Sequence, residues 1–122
     1  MGSLDHRHAP KAGTLLCRID AVPDGACKEL HYGQGDGAFR LLLYRRAEQV
    51  RAYVNCCPHF SLPLNARPDV FLLLRDSRIM CAHHSAVFRL EDGRCLEGPA
   101  KGLDLEAVMV STMDGQVYMG HR

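Results

Sequence analysis

The chain has no long apolar run, no dominant charge and no internal repeat. Nowhere in its 122 residues does an apolar stretch approach the ~20 residues that a membrane span needs, so no membrane segment is expected. Basic and acidic residues nearly cancel, leaving a net charge of +1, and a balance so close to neutral gives nucleic acid or an anionic membrane no electrostatic handle. Residues 1–9 surround Asp5, His6, Arg7 and His8 and lack the apolar centre of a signal peptide. They read as a frayed leader, and the expected location is the cytoplasm. Helix signals are weak, and no glycine-rich strand–turn–helix unit for a flavin or nicotinamide is present. With no low-complexity tract or linker, the length suits one domain, residues 1–122, which buries roughly two-thirds of its unfolded surface.

What is present reads as strands. Residues 14–19 predict an opening strand, stopped by Pro23, Asp24 and Gly25. Apolar arms at 39–44 and 50–54 predict a hairpin with Arg45, Arg46, Ala47 and Glu48 as its polar corner. Arms at 70–74 and 78–80 predict a second hairpin around Asp76-Ser77. A third has arms at 108–110 and 117–119 and closes on Asp114-Gly115, a strong two-residue turn signal. Gly33, Gly35 and Gly37, with Gln34 and Asp36 between them, predict a permissive loop. Short strands at such spacing imply an all-β fold, an antiparallel sandwich or barrel.

Six cysteines in so short a chain would suit an extracellular disulfide framework. Two of them are paired with histidines, which argues instead for metal in a reducing compartment. Cys57-Pro58-His59 gives C-x-H and, after residues 60–80, Cys81-Ala82-His83-His84 gives C-x-x-H. Each pair follows a strand end, at Val54 or Met80, and its ligands converge only from a tight loop. Two cysteines and two histidines suit a 2Fe–2S centre in which two thiolates hold one iron and two imidazoles the other. A neutral imidazole donates less charge than a thiolate, so such a centre is easier to reduce than an all-cysteine one. The same donors suit tetrahedral zinc, but zinc knuckles usually group like ligands, whereas here each loop supplies one of each. Spacing alone leaves the register open: Cys56 could pair with His59, and His83 with Cys81. Otherwise Cys56 reads as a small buried side chain and His83 as an exposed loop histidine. Cys17, Cys27 and Cys95 have no histidine at ligand spacing and read as core thiols or loop residues.

On these loops, and on residues 88–99 with Gly98-Pro99-Ala100, the chain resembles the Rieske-type ferredoxins of bacterial ring-hydroxylating oxygenase systems over nearly its whole length. The resemblance implies Cys57, His59, Cys81 and His84 as ligands of one 2Fe–2S cluster, with Gly98-Pro99-Ala100 as a third loop covering it. It implies a base of antiparallel sheets, roughly residues 12–54 and 101–121, with a cluster-binding subdomain inserted at roughly 55–100. Two departures from the family pattern stand out. Ser85 replaces the usual glycine after the second histidine, and residues 67–77 lengthen the spacer between the ligand pairs. High-potential relatives add a disulfide between the ligand loops at positions held here by Leu62 and His83. They also place a serine and a tyrosine, both donating hydrogen bonds that favour the reduced cluster, where this chain has Ala86 and Phe88. Fewer donors stabilise the charge added on reduction less well, so the potential is expected to be low.

The chain lacks the two further histidines and carboxylate that a mononuclear oxygenase iron needs, since His6, His8, His31 and His121 are scattered near termini or in a loop. No substrate chemistry of its own is therefore expected. The resemblance implies a monomeric electron carrier between a flavin-dependent reductase and a terminal oxygenase. Partners are expected at His59 and His84, among Phe60, Leu62, Pro63, Ser85 and Pro99, through a small transient contact. The alternative is the small subunit of an assimilatory nitrite reductase complex, a relative that often has an incomplete ligand set.

Overall fold

The computed structural model describes residues 8–34, 38–57, 63–65, 71–82, 86–98 and 103–120. The strands are β1 (Leu15–Arg18), β2 (Cys27–Tyr32), β3 (Phe39–Arg46), β4 (Gln49–Val54), β5 (Leu72–Leu74), β6 (Arg78–Met80), β7 (Val87–Arg89), β8 (Cys95–Glu97), β9 (Ala107–Val108), β10 (Val110–Met113) and β11 (Gln116–Met119). Among the described residues the only helix is a single 3-10 turn, Ile19–Ala21, and no helix is long and apolar enough to cross a membrane. The described residues form three antiparallel sheets, ordered β1-β11-β10, β2-β3-β4-β9 and β5-β6-β7-β8. The all-β, antiparallel expectation holds.

The middle sheet, β2-β3-β4-β9, has a core on each face. Side chains alternate along a strand, and β3 shows this directly. Phe39, Leu41 and Leu43 join Val22, Ala52 and Val54 in one buried cluster, against which Leu16, Cys17, Val110 and Met119 of the first sheet pack. Leu42 and Tyr44 face the other way, into a cluster with Tyr53, Ile79, Phe88, Leu90 and Cys95, which brings in the third sheet. A strand covered on both faces needs a continuous apolar run rather than an alternating one, and Leu41-Leu42-Leu43-Tyr44 supplies it.

The turns set where each strand ends. Arg45 and Arg46 pair with Val50 and Gln49, so the β3–β4 corner is tighter than the sequence suggests and comes down to Ala47-Glu48. Ala47 has φ 55, and its N–H donates to Asp24 Oδ1 at 2.8 Å. The β5–β6 turn holds Asp76 and Ser77 at φ 61 and 59. Ser77 is fixed there by a 2.6 Å hydrogen bond shared between its hydroxyl and that of Tyr44. Gly93, before β8, has φ +80, and a Cβ there would stand 2.8 Å from Tyr53 Cε1, so only glycine fits without a shift.

Asp114-Gly115 closes β10 on β11 as predicted. The arm expected at 108–110 is split, however. Val108 pairs with Ala52 in the middle sheet and Val110 with Met119 in the first, so the chain changes sheets at the exposed Met109. Strand β2, which the sequence did not announce, pairs with β3 along its whole length. Its inward positions include Cys27 and Glu29, and this polar content hid the alternation. Gly35, Asp36, Gly37 and Val70 lie outside the described residues.

Candidate metal centre

Cys57 and Cys81 come from equivalent places, each just beyond a strand that ends where expected, β4 at Val54 and β6 at Met80. Cys57 is fully buried and Cys81 is 1% exposed, and both belong to the cluster between the middle and third sheets. Cys56, one residue earlier, is half-buried and packs against the opposite cluster, towards the first sheet. Neighbouring extended residues point to opposite faces, so only Cys57 of the two shares a core with Cys81.

The two cysteine loops are fastened to each other. Ala82 N–H donates to Leu64 O at 2.8 Å, and Cys81 N–H donates to Ala86 O at 2.7 Å. Leu64 N–H in turn donates to Asn55 Oδ1 at 2.8 Å, which closes the segment from Asn55 to Leu64 at its neck. Asn55 and Asn65 are 3% and 4% exposed, and Asn55 Nδ2 donates to Asn65 Oδ1 at 2.7 Å. Sequence reasoning did not single out these asparagines. The signal available was two asparagines ten positions apart flanking a candidate ligand loop.

Cys27 and Cys95 are also buried in this core, and Cys17 is half-buried against the other. Burial pushes the Cys27 thiol up to about 12, so it stays neutral. No disulfide joins any of the six cysteines. Among the described residues no three His, Cys, Asp or Glu side chains gather to hold a metal ion, so Cys27 and Cys95 do not complete an all-thiolate site with Cys57 and Cys81. Cys57 and Cys81, each beyond a strand end and buried in one core, fit half of a two-cysteine, two-histidine donor set. His59 and His84 lie outside the described residues, as do His83, Phe60, Leu62, Ser85, Pro99 and Ala100. Ala86 and Phe88 are fully buried in the same core as the two thiols, and neither carries a hydroxyl.

A family model, the Rieske 2Fe-2S domain, matches residues 13–113. A comparison with curated protein sequences finds no match. Among solved structures, the ferredoxin of carbazole 1,9a-dioxygenase from Nocardioides aromaticivorans IC177 superposes with a TM-score of 0.72 at 19% identity, covering 92% of this chain and 100% of that one. A chain of the complex of reduced oxygenase and oxidized ferredoxin in carbazole 1,9a-dioxygenase gives 0.70 at 22% identity, covering 91% and 94%. Sphingomonas yanoikuyae B1 ferredoxin gives 0.64 at 20% identity, covering 90% and 99%. At these identities the likeness shows the fold. The match over most of the chain shows the family: the chain belongs to the Rieske 2Fe-2S domain family, whose cofactor is a single 2Fe–2S cluster.

Proposed function

From membership of the Rieske family, we propose that this protein is a one-electron carrier, not an enzyme, and that Cys57, His59, Cys81 and His84 hold its cluster. The observation that carries the reading is the shared burial of Cys57 and Cys81 in one core, with Cys56 turned to the other. When bound, a cluster with this ligand set takes up and returns one electron. Cys57 and Cys81 keep the thiolate end out of water, and the bonds among Asn55, Leu64 and Ala82 hold their loops together. Residues 55–100 act as the cluster-binding subdomain, on a base of residues 12–54 and 101–121.

Ala86 and Phe88 bring no hydroxyl towards the core that holds the thiols, so the negative charge added on reduction gains little hydrogen-bond stabilisation. The carrier therefore works at low potential. Its electron comes from a flavin-dependent reductase and goes to a terminal oxygenase, each met in turn by a cytoplasmic monomer. The oxygenase half of this reading is supported by the solved complex of an oxygenase with a ferredoxin of the same fold.

The test has two stages. Purified protein should carry a 2Fe–2S cluster with the rhombic EPR signal of mixed ligation once reduced. Cys57→Ala should abolish that signal while Cys56→Ala keeps it, and a colourless zinc protein overturns the assignment. Reconstitution with a flavin reductase and candidate terminal oxygenases should then give oxygenase turnover that depends on this chain. A cluster-loaded protein that supports none, but copurifies with a sirohaem protein, would make it a nitrite reductase subunit instead.

A further inference from the structure

The polar network beneath the Cys57 loop starts from a buried carboxylate. Glu29 lies on β2, on the face that carries Cys27 into the site core, and its side chain is 8% exposed. Arg40, across the β2–β3 ladder, donates to it through Nε and, at 3.0 Å, through Nη2. The main chain is tied at the same point, because Asn55 N–H donates to Arg40 O at 2.8 Å. Asn55 Nδ2 donates to Glu29 Oε2 at 2.8 Å, and Asn65 Nδ2 donates to Glu29 Oε1 at 3.3 Å.

The donor–acceptor logic runs in one direction. A carboxylate only accepts, so Asn55 must present its amide nitrogen to Glu29. That orientation aims Asn55 Oδ1 at the Leu64 N–H, and Leu64 O is then placed to accept from Ala82, the residue after Cys81. One charged group on the base thereby fixes the orientation of a side chain that closes the first cysteine loop and is bonded onward to the second. Burial alone would raise the Glu29 pKa. Donation from Arg40, Asn55 and Asn65 more than offsets this and holds it below the usual carboxylate range, so the carboxylate is ionised at neutral pH.

We propose that Glu29 is a positioning residue for the cluster: through Asn55 and Asn65 it sets the geometry of the loop that carries Cys57 and, through Leu64, of the loop that carries Cys81. The proposal rests on the reading that Cys57 and Cys81 are ligands. Hydrogen bonds behind metal ligands are worth about 10–100-fold in metal affinity, and that is the scale expected here.

The experiment follows the loaded protein. Glu29→Gln keeps one acceptor oxygen and turns an N–H₂ towards either Asn55 or Asn65, so one of the two amides loses its acceptor. It should release the cluster to a chelator at least about tenfold faster and change the g-values of the reduced EPR signal. Asn55→Ala leaves Glu29 and Arg40 together and removes the Asn55 amide's bonds to Glu29, Leu64 and Asn65. It should release the cluster as fast as Glu29→Gln, with the base sheet still folded by far-ultraviolet circular dichroism. Wild-type retention and an unchanged EPR signal in Asn55→Ala would overturn the proposal even if Glu29→Gln fails to fold. Failure of the ligand reading would look different, with Cys57→Ala keeping its cluster.

Discussion

β3 and β6 are both inner strands of four-stranded antiparallel sheets, yet they are held in place by different means. β3 is 8 residues long and buries Leu41, Leu42 and Leu43 completely, feeding a core on each side. Each such leucine contributes roughly 1.5–3 kcal/mol, enough to offset a backbone ordering cost of about 1–2 kcal/mol per residue. β6 is 3 residues long and fully buries only Ile79. Its neighbour β5 leaves Leu72, Leu73 and Leu74 exposed at 41%, 39% and 37%. The third sheet is instead fastened from outside its ladder. Tyr53 Oη–H donates to Leu90 O at 2.7 Å, the Tyr44 and Ser77 hydroxyls share a 2.6 Å hydrogen bond, and Ala82 N–H donates to Leu64 O at 2.8 Å. The middle sheet is a scaffold packed on both faces. The third is a platform that joins one of those cores through Ile79, Phe88 and Leu90 and adds these ties to it, and Cys81 stands at the end of one of its strands.

Cluster removal should widen this contrast most. Metal binding that gathers ligands from separate loops stabilises the fold of those loops. In apo protein, or in Cys81→Ala, amide exchange is therefore expected to accelerate by orders of magnitude in β5–β8 while β3 and β4 keep their protection. Equal loss of protection in all three sheets would mean that the platform and scaffold unfold as one unit. Next in size are two truncations. Leu42→Ala removes a side chain buried between middle and third sheets and should cost about 2–5 kcal/mol. Leu73→Ala, on the exposed edge, should stay within about 0.5 kcal/mol. Urea unfolding measures both, and a Leu73→Ala cost near that of Leu42→Ala would show that the β5 edge is buried in solution.

The same contrast explains what the sequence disclosed. The β3–β4 and β10–β11 hairpins were legible from their apolar arms, and the second also from its turn, Asp114-Gly115 at φ 54 and 74. β7 and β8 were not, since three-residue strands containing Arg89, Cys95 and Glu97 carry no periodicity to read. β2 was hidden because Glu29 turns its side chain inward as half of an ion pair with Arg40, a partnership visible only once the ladder exists. At the candidate centre, the strand ends before Cys57 and Cys81 could be read directly. The preference for Cys57 over Cys56 as the thiol facing Cys81 could not, because it depends on which core each side chain enters. Asn55 and Asn65 were unremarked for a similar reason: an asparagine beside a loop is ordinary until its amide is found closing it.

The smallest effect expected concerns the buried end of the platform. Ala86 and Phe88 are fully buried in the core that holds Cys57 and Cys81, at the positions where high-potential relatives carry hydroxyl donors. Ala86→Ser and Phe88→Tyr should therefore raise the reduction potential. A hydrogen bond to a charged group is worth about 1.5–3 kcal/mol, and only the part that differs between redox states counts, taken as about half. At about 59 mV per tenfold change for one electron, equivalent to about 1.4 kcal/mol, each hydroxyl should add roughly 30–65 mV. Both substitutions add a polar atom to a closed core, and a hydroxyl left without an acceptor costs stability of its own, so unfolding should be followed in parallel. Voltammetry of the single and double variants decides the matter. A potential that rises in both singles and adds in the double would show that hydroxyl donors at these positions tune it. An unchanged or lowered potential in the double variant, with the visible spectrum intact, would mean that solvent access to the cluster sets the value instead.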